Sequence, residues 1–250
     1  MMRIRVYHRP STLEETLALL ARPDVNTMPL GGGTALNGLA LEVPEEVVDL
    51  QALHLNQITR DGPLLRFGAT ARLQDVVDHE WTPPLLRDLA HAEAPNTLRN
   101  AATLGGTVAT ADPESGLLAG LLAHEAAVSI AHVGRTEEVA LSDLLADRNR
   151  LAGGLITSVQ IMLGGAGAWE RTARTPADTP IVLVAGHRTE EGDVRLAATG
   201  VAPAPMVIDV GDIDELDPPS DFRGSSEYRS HLAAVLAARV VTRLTDGDGS

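Results

Sequence analysis

Hydrophobic positions along this chain come in short blocks whose period changes from one block to the next. Leu13, Leu17 and Leu20 recur at helical spacing. The Thr12-Leu13-Glu14-Glu15 that opens them has the form of a capping box, with Thr12 capping the first turn and Glu15 reaching back. Arg22-Pro23-Asp24 ends that helix. Residues 3–7 read as a short strand ahead of it, and Thr27–Leu30 and Val47–Leu50 as two more behind it. The first ~50 residues therefore predict a small β-α-β unit.

From Gln51 onward, Leu64–Gly68 alternates like a half-buried strand. Thr70 is positioned to cap a helix carrying Leu73, Val76 and Val77, and Pro83-Pro84 to open another whose inner face is Leu85, Leu86 and Leu89. Residues 116–127 form an apolar helical run, 128–133 a strand, and Leu155–Met162 the clearest strand of this region. Gly164-Gly165-Ala166-Gly167 marks a boundary. Beyond it, 181–185 and 194–201 read as paired strands and Asp217–Asp221 as a polar, proline-bearing link. Ser225 then caps a last helix with Tyr228, Leu232, Val235, Leu236 and Val240 on one side. Residues 246–250 read as a frayed, disordered tail. The expected divisions are thus 1–52, 53–165, 166–245 and the tail.

Composition narrows what such a chain can do. Hydrophobic residues at 44% over 250 positions suffice for a sizeable core, and aromatics at 2% leave that core to Leu, Val, Ala and Ile. A net charge of −14 repels phosphate backbones and anionic lipid, which argues against nucleic acid or membrane as a partner. It leaves room for a nucleotide cofactor, which backbone N–H groups hold without any cation. With no cysteine, disulfides, thiolate catalysis and Fe–S ligation are absent from the chain. No apolar run follows the basic N-terminal residues and no uncharged stretch is long enough to span a bilayer, so a cytoplasmic location is expected.

The candidate chemistry sits in two glycine-rich stretches. Leu30-Gly31-Gly32-Gly33-Thr34 lies between a strand and an expected helix. Glycine adopts backbone angles closed to other residues, so consecutive N–H groups can converge on one anion, and without a Cβ a phosphate comes within hydrogen-bond reach. The stretch is neither a Walker loop nor a Gly-x-Gly-x-x-Gly fingerprint, and taken alone it is as compatible with a tight turn. The second stretch, Arg99-Asn100-Ala101-Ala102-Thr103-Leu104-Gly105-Gly106-Thr107, precedes Asp112-Pro113-Glu114-Ser115. It would be a second backbone cradle with hydroxyl donors. Two cradles suit a dinucleotide with a central pyrophosphate.

Taken together, Leu30-Gly31-Gly32-Gly33-Thr34, Arg99-Asn100-x-Ala102-Thr103-Leu104-Gly105-Gly106 and Pro113-x-Ser115 resemble the FAD-binding medium subunit of the molybdenum hydroxylases, the family of xanthine dehydrogenase, aldehyde oxidase and carbon monoxide dehydrogenase. Asp221-x-Arg223-Gly224-Ser225-Ser226-Glu227-Tyr228-Arg229 and Leu236-x-x-Arg239 are similar to that family's ending. The resemblance runs from about Pro10 to Leu244. It implies an α+β fold: two α/β FAD-binding domains of the vanillyl-alcohol oxidase (PCMH) type, then a C-terminal domain of antiparallel sheet and helices. It implies that Leu30, Gly31, Gly32, Gly33, Thr34, Ala35, Leu36 and Asn37 take the pyrophosphate, and that Ala102, Thr103, Leu104, Gly105 and Gly106 run along the ribityl and phosphate portion. Thr107, Asp112 and Ser115 belong to the same path. Leu155 is implied as an apolar flavin contact, and Arg171 as a basic residue beyond its strand. The chain departs from the family's pattern where Ala35 and Gly116 stand for acids and Thr107 for an asparagine.

The function implied is electron transfer: a molybdopterin large subunit oxidises substrate, a 2Fe–2S small subunit relays electrons, and FAD on this chain passes them to NAD, a quinone or oxygen. Two other functions compatible with the residues are a stand-alone FAD-dependent enzyme acting on a small molecule and an assembly subunit with degraded FAD binding. No catalytic side chain is expected on this chain. The eight histidines show no close helical pair, so no metal site is expected either. Ser115 lacks a Gly-x-Ser-x-Gly frame, and the Glu-Glu pairs read as solvated charges.

Overall fold

The computed structural model describes residues 4–35, 46–175 and 178–246. Three sheets carry these residues. The first is parallel and small: β1 (Val6–His8), β2 (Thr27–Leu30) and β3 (Glu46–Asp49) in the order β1-β3-β2, with α1 (Leu13–Leu20) between the first two strands. β1 lies further along the chain than the 3–7 expected, because its register is set by pairing with Glu46–Val48. Thr12 caps α1 as expected by accepting the Glu15 N–H, while the Glu15 carboxylate reaches past Thr12 to the Ser11 N–H.

The second sheet is antiparallel: β4 (Ile58–Asp61), β5 (Leu64–Gly68), β6 (Ala127–His132), β7 (Arg135–Ala140) and β8 (Leu155–Met162), ordered β4-β5-β8-β6-β7. Leu65, Phe67, Val128, Ile130, Val159 and Ile161 alternate onto one core. Helices α2 (Leu73–Asp78), α3 (Pro84–Glu93), α4 (Asn96–Arg99), α5 (Leu104–Thr110), α6 (Gly116–Ala123) and α7 (Leu141–Ala146) accompany that sheet. Thr70 does not cap α2. The N–H groups of Ala69 and Thr70 are bonded to the carbonyls of Thr157 and Leu55, which pins both residues to the sheet. The helix begins two residues later, where the Asp75 carboxylate accepts the Arg72 N–H. α6 is shorter than the apolar run because Glu125 takes a φ of 53° and turns the chain into β6.

The third sheet is antiparallel: β9 (Ala166–Thr172), β10 (Val182–Arg188), β11 (Val194–Thr199) and β12 (Met206–Ile208), in the order β12-β11-β10-β9. Its central strands β10 and β11 are apolar on both faces. Leu183, Ala185 and Ala197 join the core that contains α6, while Val182, Val184, Leu196 and Ala198 pack with Leu236, Ala237 and Val240 of α8 (Ser226–Asp246). Every residue of α6 is buried as a result. His124, just after α6, stacks on His187 of β10 with ring centroids 4.1 Å apart.

α8 differs from its sequence reading at both ends. Tyr228 points outward, and Arg229 takes the inner position because its guanidinium donates to the Ile181 and Gly200 carbonyls at 2.9 and 3.0 Å and pairs with Asp221. Asp246, expected in the tail, is helical, and 247–250 lie outside the described residues. Among the described residues no helix is long and apolar enough to cross a membrane.

Candidate functional site

β2 ends at Leu30 and delivers the three glycines to the mouth of a cavity of about 560 Å³, a size ordinary for a cofactor site. Leu30–Ala35 form one wall, and Ala102, Thr103, Gly105, Gly106 and Thr107 the facing one. Asp112 and Leu155 complete the set of expected residues found there. The structure does not bring the other expected residues to the cavity. Leu104 is turned into the core. Ser115 is buried as the N-cap of α6, where its hydroxyl accepts the Leu118 N–H. Arg171 lies on β9 over the Trp169 ring. Leu36 and Asn37 lie outside the described residues.

The two walls differ in what they offer. Gly33 has a φ of +72°, and among the described residues the N–H groups of Gly31, Gly32 and Gly33 have no hydrogen-bond acceptor. This is the open backbone cradle expected for an anion. The second stretch is not such a cradle. From Leu104 it is the first turn of α5, and its N–H groups are already spent: Leu104 on Ala71, Gly105 on Ala69, Gly106 on the Thr103 hydroxyl and Thr107 on the Thr103 carbonyl. A helix satisfies its later amides internally, and close packing on residues 69–71 satisfies the first two. What this wall contributes is a side-chain-poor surface and three hydroxyls spaced along one face of α5. Thr107 and Thr110 donate to the Thr103 and Gly106 carbonyls and so offer the cavity acceptor lone pairs, while Thr103 accepts the Gly106 N–H and keeps its own donor.

The walls also touch each other. A Cβ on Gly32 would lie 1.6 Å from the Ala101 carbonyl oxygen, so this glycine is required by loop-on-loop packing as well as by any ligand. Gly116 has a similar reason. A Cβ there would meet the side-chain ends of Leu183 of β10 at 3.0 Å and Leu89 at 3.4 Å, so a larger residue fits only if these leucines give way.

Several wall residues escaped the sequence reading. Met28, Pro29 and Leu50 come from the ends of β2 and β3, Ala109 and Thr110 from the next turn of α5, and Leu151, Gly154 and Ile156 from around the start of β8. The helical assignment of 104–110 would have exposed Thr110, one turn from Thr107. Nothing local signals Glu93, which ends α3 and reaches the cavity only because α3 packs on α6. Its carboxylate accepts the Leu117 N–H at 3.0 Å, and burial pushes its pKa above the usual carboxylate range.

A cavity with backbone N–H donors on one side and hydroxyls on the other fits a phosphate-bearing, elongated cofactor, and the amides of Gly31–Gly33, which have no acceptor among the described residues, suit a pyrophosphate. Residues 2–161 match the family described as the FAD-binding domain in molybdopterin dehydrogenase. The glyceraldehyde dehydrogenase medium chain of Sulfolobus acidocaldarius is 27% identical, over 93% of this chain and 95% of its own. The carbon monoxide dehydrogenase medium chain of Afipia carboxidovorans is 27% identical over 95% of each. A solved structure of carbon monoxide dehydrogenase from Hydrogenophaga pseudoflava has the same fold, with a TM-score of 0.88 over 98% of this chain and 99% of that one at 21% identity. The chain belongs to the FAD-binding family of the molybdopterin dehydrogenases. It is an FAD-dependent oxidoreductase subunit of the medium-chain type, and its cofactor is FAD.

Proposed function

We propose that FAD lies in the cavity between Gly31–Ala35 and α5, with its pyrophosphate on the amides of Gly31, Gly32 and Gly33. The observation that carries this reading is the contrast between those three donors, without an acceptor among the described residues, and the fully used amides of Leu104–Thr107. The hydroxyls of Thr103, Thr107 and Thr110 then serve the ribityl stretch, and Leu155 and Ile156 give an apolar surface for the flavin ring. Leu36 and Asn37 remain assigned to the pyrophosphate by family resemblance. Leu104 in the core and Ser115 as the cap of α6 support the walls from behind, and Arg171 remains assigned by family resemblance.

In this reading a 2Fe–2S small subunit, supplied by a molybdopterin large subunit, delivers electrons to this chain, which hands them to NAD, a quinone or oxygen. Bound FAD supplies the redox chemistry, accepting and releasing electrons singly or in pairs. The chain's own residues bind it, orient it and limit water access. We take 1–52 and 53–165 as the vanillyl-alcohol oxidase type pair and 166–245 as the C-terminal domain, a reading supported by one sheet lying in each range. A cytoplasmic location belongs to the same proposal.

Affinity purification of the tagged chain from its native cells, followed by flavin and metal analysis, tests this. The expected result is a yellow protein that releases FAD on denaturation and carries molybdenum and iron with its partner chains. A colourless protein that does not take up added FAD overturns the cavity assignment. A yellow protein without iron or molybdenum overturns the partner assignment and favours a stand-alone flavoenzyme.

A further inference from the structure

Glu93 is the unexpected acid of the cavity wall. The N–H of Leu117 and the hydroxyl of Ser115 hold one side of its carboxyl group against the start of α6. The wall it joins has one other ionisable side chain among the described residues, Asp112, and no Arg, Lys or His. Burial and Asp112 both raise the Glu93 pKa, against the lowering effect of its two hydrogen bonds. The other charged groups on elements packed against α3 are engaged elsewhere. Asp75 accepts the Arg72 N–H and Asp78 the Gln74 amide. Arg99 is bonded to Gln74 and to the carbonyls of His91 and Ala94. Glu170 pairs with Arg243, and Arg171 lies over Trp169. On α3 itself, Arg87 donates to the carbonyls of His79 and Thr82, while Asp88 and His91 are directed away from the core.

We propose that Glu93 is a cofactor-contacting residue of this cavity that takes FAD in its protonated form, donating a hydrogen bond to it. This rests on the FAD reading of the cavity above. An ionised carboxylate can only accept, whereas a carboxylic acid also donates. FAD presents mainly acceptors: ring nitrogens, ring carbonyls, phosphate oxygens. The cofactor is anionic, and an ionised carboxylate on the same cavity wall would add to that charge with no Arg, Lys or His among the described lining residues to offset it. Proton uptake by Glu93 thus becomes linked to FAD binding.

The test titrates FAD into flavin-free wild-type and Glu93→Gln protein from about pH 5 to about pH 9, reading affinity by flavin fluorescence. Gln keeps an acceptor for Leu117 and a donor toward the cavity but never ionises. Wild-type affinity is expected to fall by about tenfold per pH unit above the Glu93 pKa, while the Gln variant holds the acid-side affinity throughout. Superimposable profiles overturn the proposal, as does a Gln variant weakened equally at every pH. If Glu93→Gln does not fold, Asp112→Asn removes the neighbouring charge and should move the wild-type break to lower pH. A break that stays in place overturns the proposal. Protein that binds no FAD at any pH overturns the cavity reading itself, and this proposal with it.

Discussion

Replacing Gly32 with alanine tests the contact on which the cavity depends. The added Cβ would lie 1.6 Å from the Ala101 carbonyl oxygen, 2.5 Å from its carbon and 3.1 Å from the Ala102 nitrogen. All three atoms are backbone, so no side-chain rotation relieves the overlap. An ordinary carbon–oxygen contact is about 3.3 Å, so the two segments must part by about 1.7 Å. A hydrogen bond stretched by that much is lost. If one amide of the Gly31–Gly33 cradle loses its phosphate oxygen, about 1.5–3 kcal/mol goes with it, a fall in FAD affinity of about 10- to 150-fold. The strain itself costs the fold about 1–3 kcal/mol, and each kcal/mol lowers Tm by about 2–4 °C for a chain of this size. Gly106→Ala is the matched comparison. Its Cβ meets only the Thr103 hydroxyl, at 2.9 Å, a side-chain contact whose relief costs at most the α5 cap, about 1 kcal/mol. FAD titration and thermal melts of both variants read the difference. A Gly32→Ala protein that binds FAD within about twofold of wild type and melts with it refutes the loop-on-loop argument.

Three further outcomes are expected. Arg229→Met leaves the carbonyls of Ile181 and Gly200 without their donor in the core, at a cost of about 1–3 kcal/mol, read as a lower urea midpoint. An unchanged midpoint would mean water replaces the guanidinium. Thr103→Val removes the cap of α5 and a cavity hydroxyl, and should cost about 1 kcal/mol in stability together with weaker FAD binding. Retained affinity would argue against the hydroxyl face as a cofactor contact. Burial, and then the His187 ring, holds the His124 imidazole down to about 4 from 6.5. The unfolded chain therefore takes up a proton at higher pH than the folded one. The associated stability is full above about pH 6.5 and is lost as pH falls toward about 4. Melting curves of His124→Gln across that window should fall less steeply than wild type, and parallel curves would show that the stacked pair does not sense pH.

Much of the architecture was legible because period and punctuation are local. Thr27–Leu30 and Leu155–Met162 form strands with those very bounds, and Pro84 opens its helix, since β-branched alternation and a proline at the first turn need no distant partner. Thr70 misled the reading because a free hydroxyl before an apolar run looks like a cap, while the backbone bonds from Ala69 and Thr70 to Thr157 and Leu55 are invisible in the chain. Tyr228 misled it too: an apolar ring at helical spacing reads as core, while the two carbonyls that draw Arg229 inward instead are invisible in the chain.

The sequence by itself determined the family, through two glycine stretches in order and the Arg99–Gly106 context of the second. It also determined that backbone, rather than cations or thiols, must do most of the holding. Only the tertiary structure decided how that work is divided. The amides of Leu104–Thr107 are consumed by α5 and by residues 69–71, which leaves the anion to Gly31–Gly33. It also brought Glu93 to the wall and took Ser115 and Arg171 away from it. The physical reason is that a hydrogen-bond donor has one partner at a time. Which partner it takes depends on what the fold packs against it, and residue order does not record that.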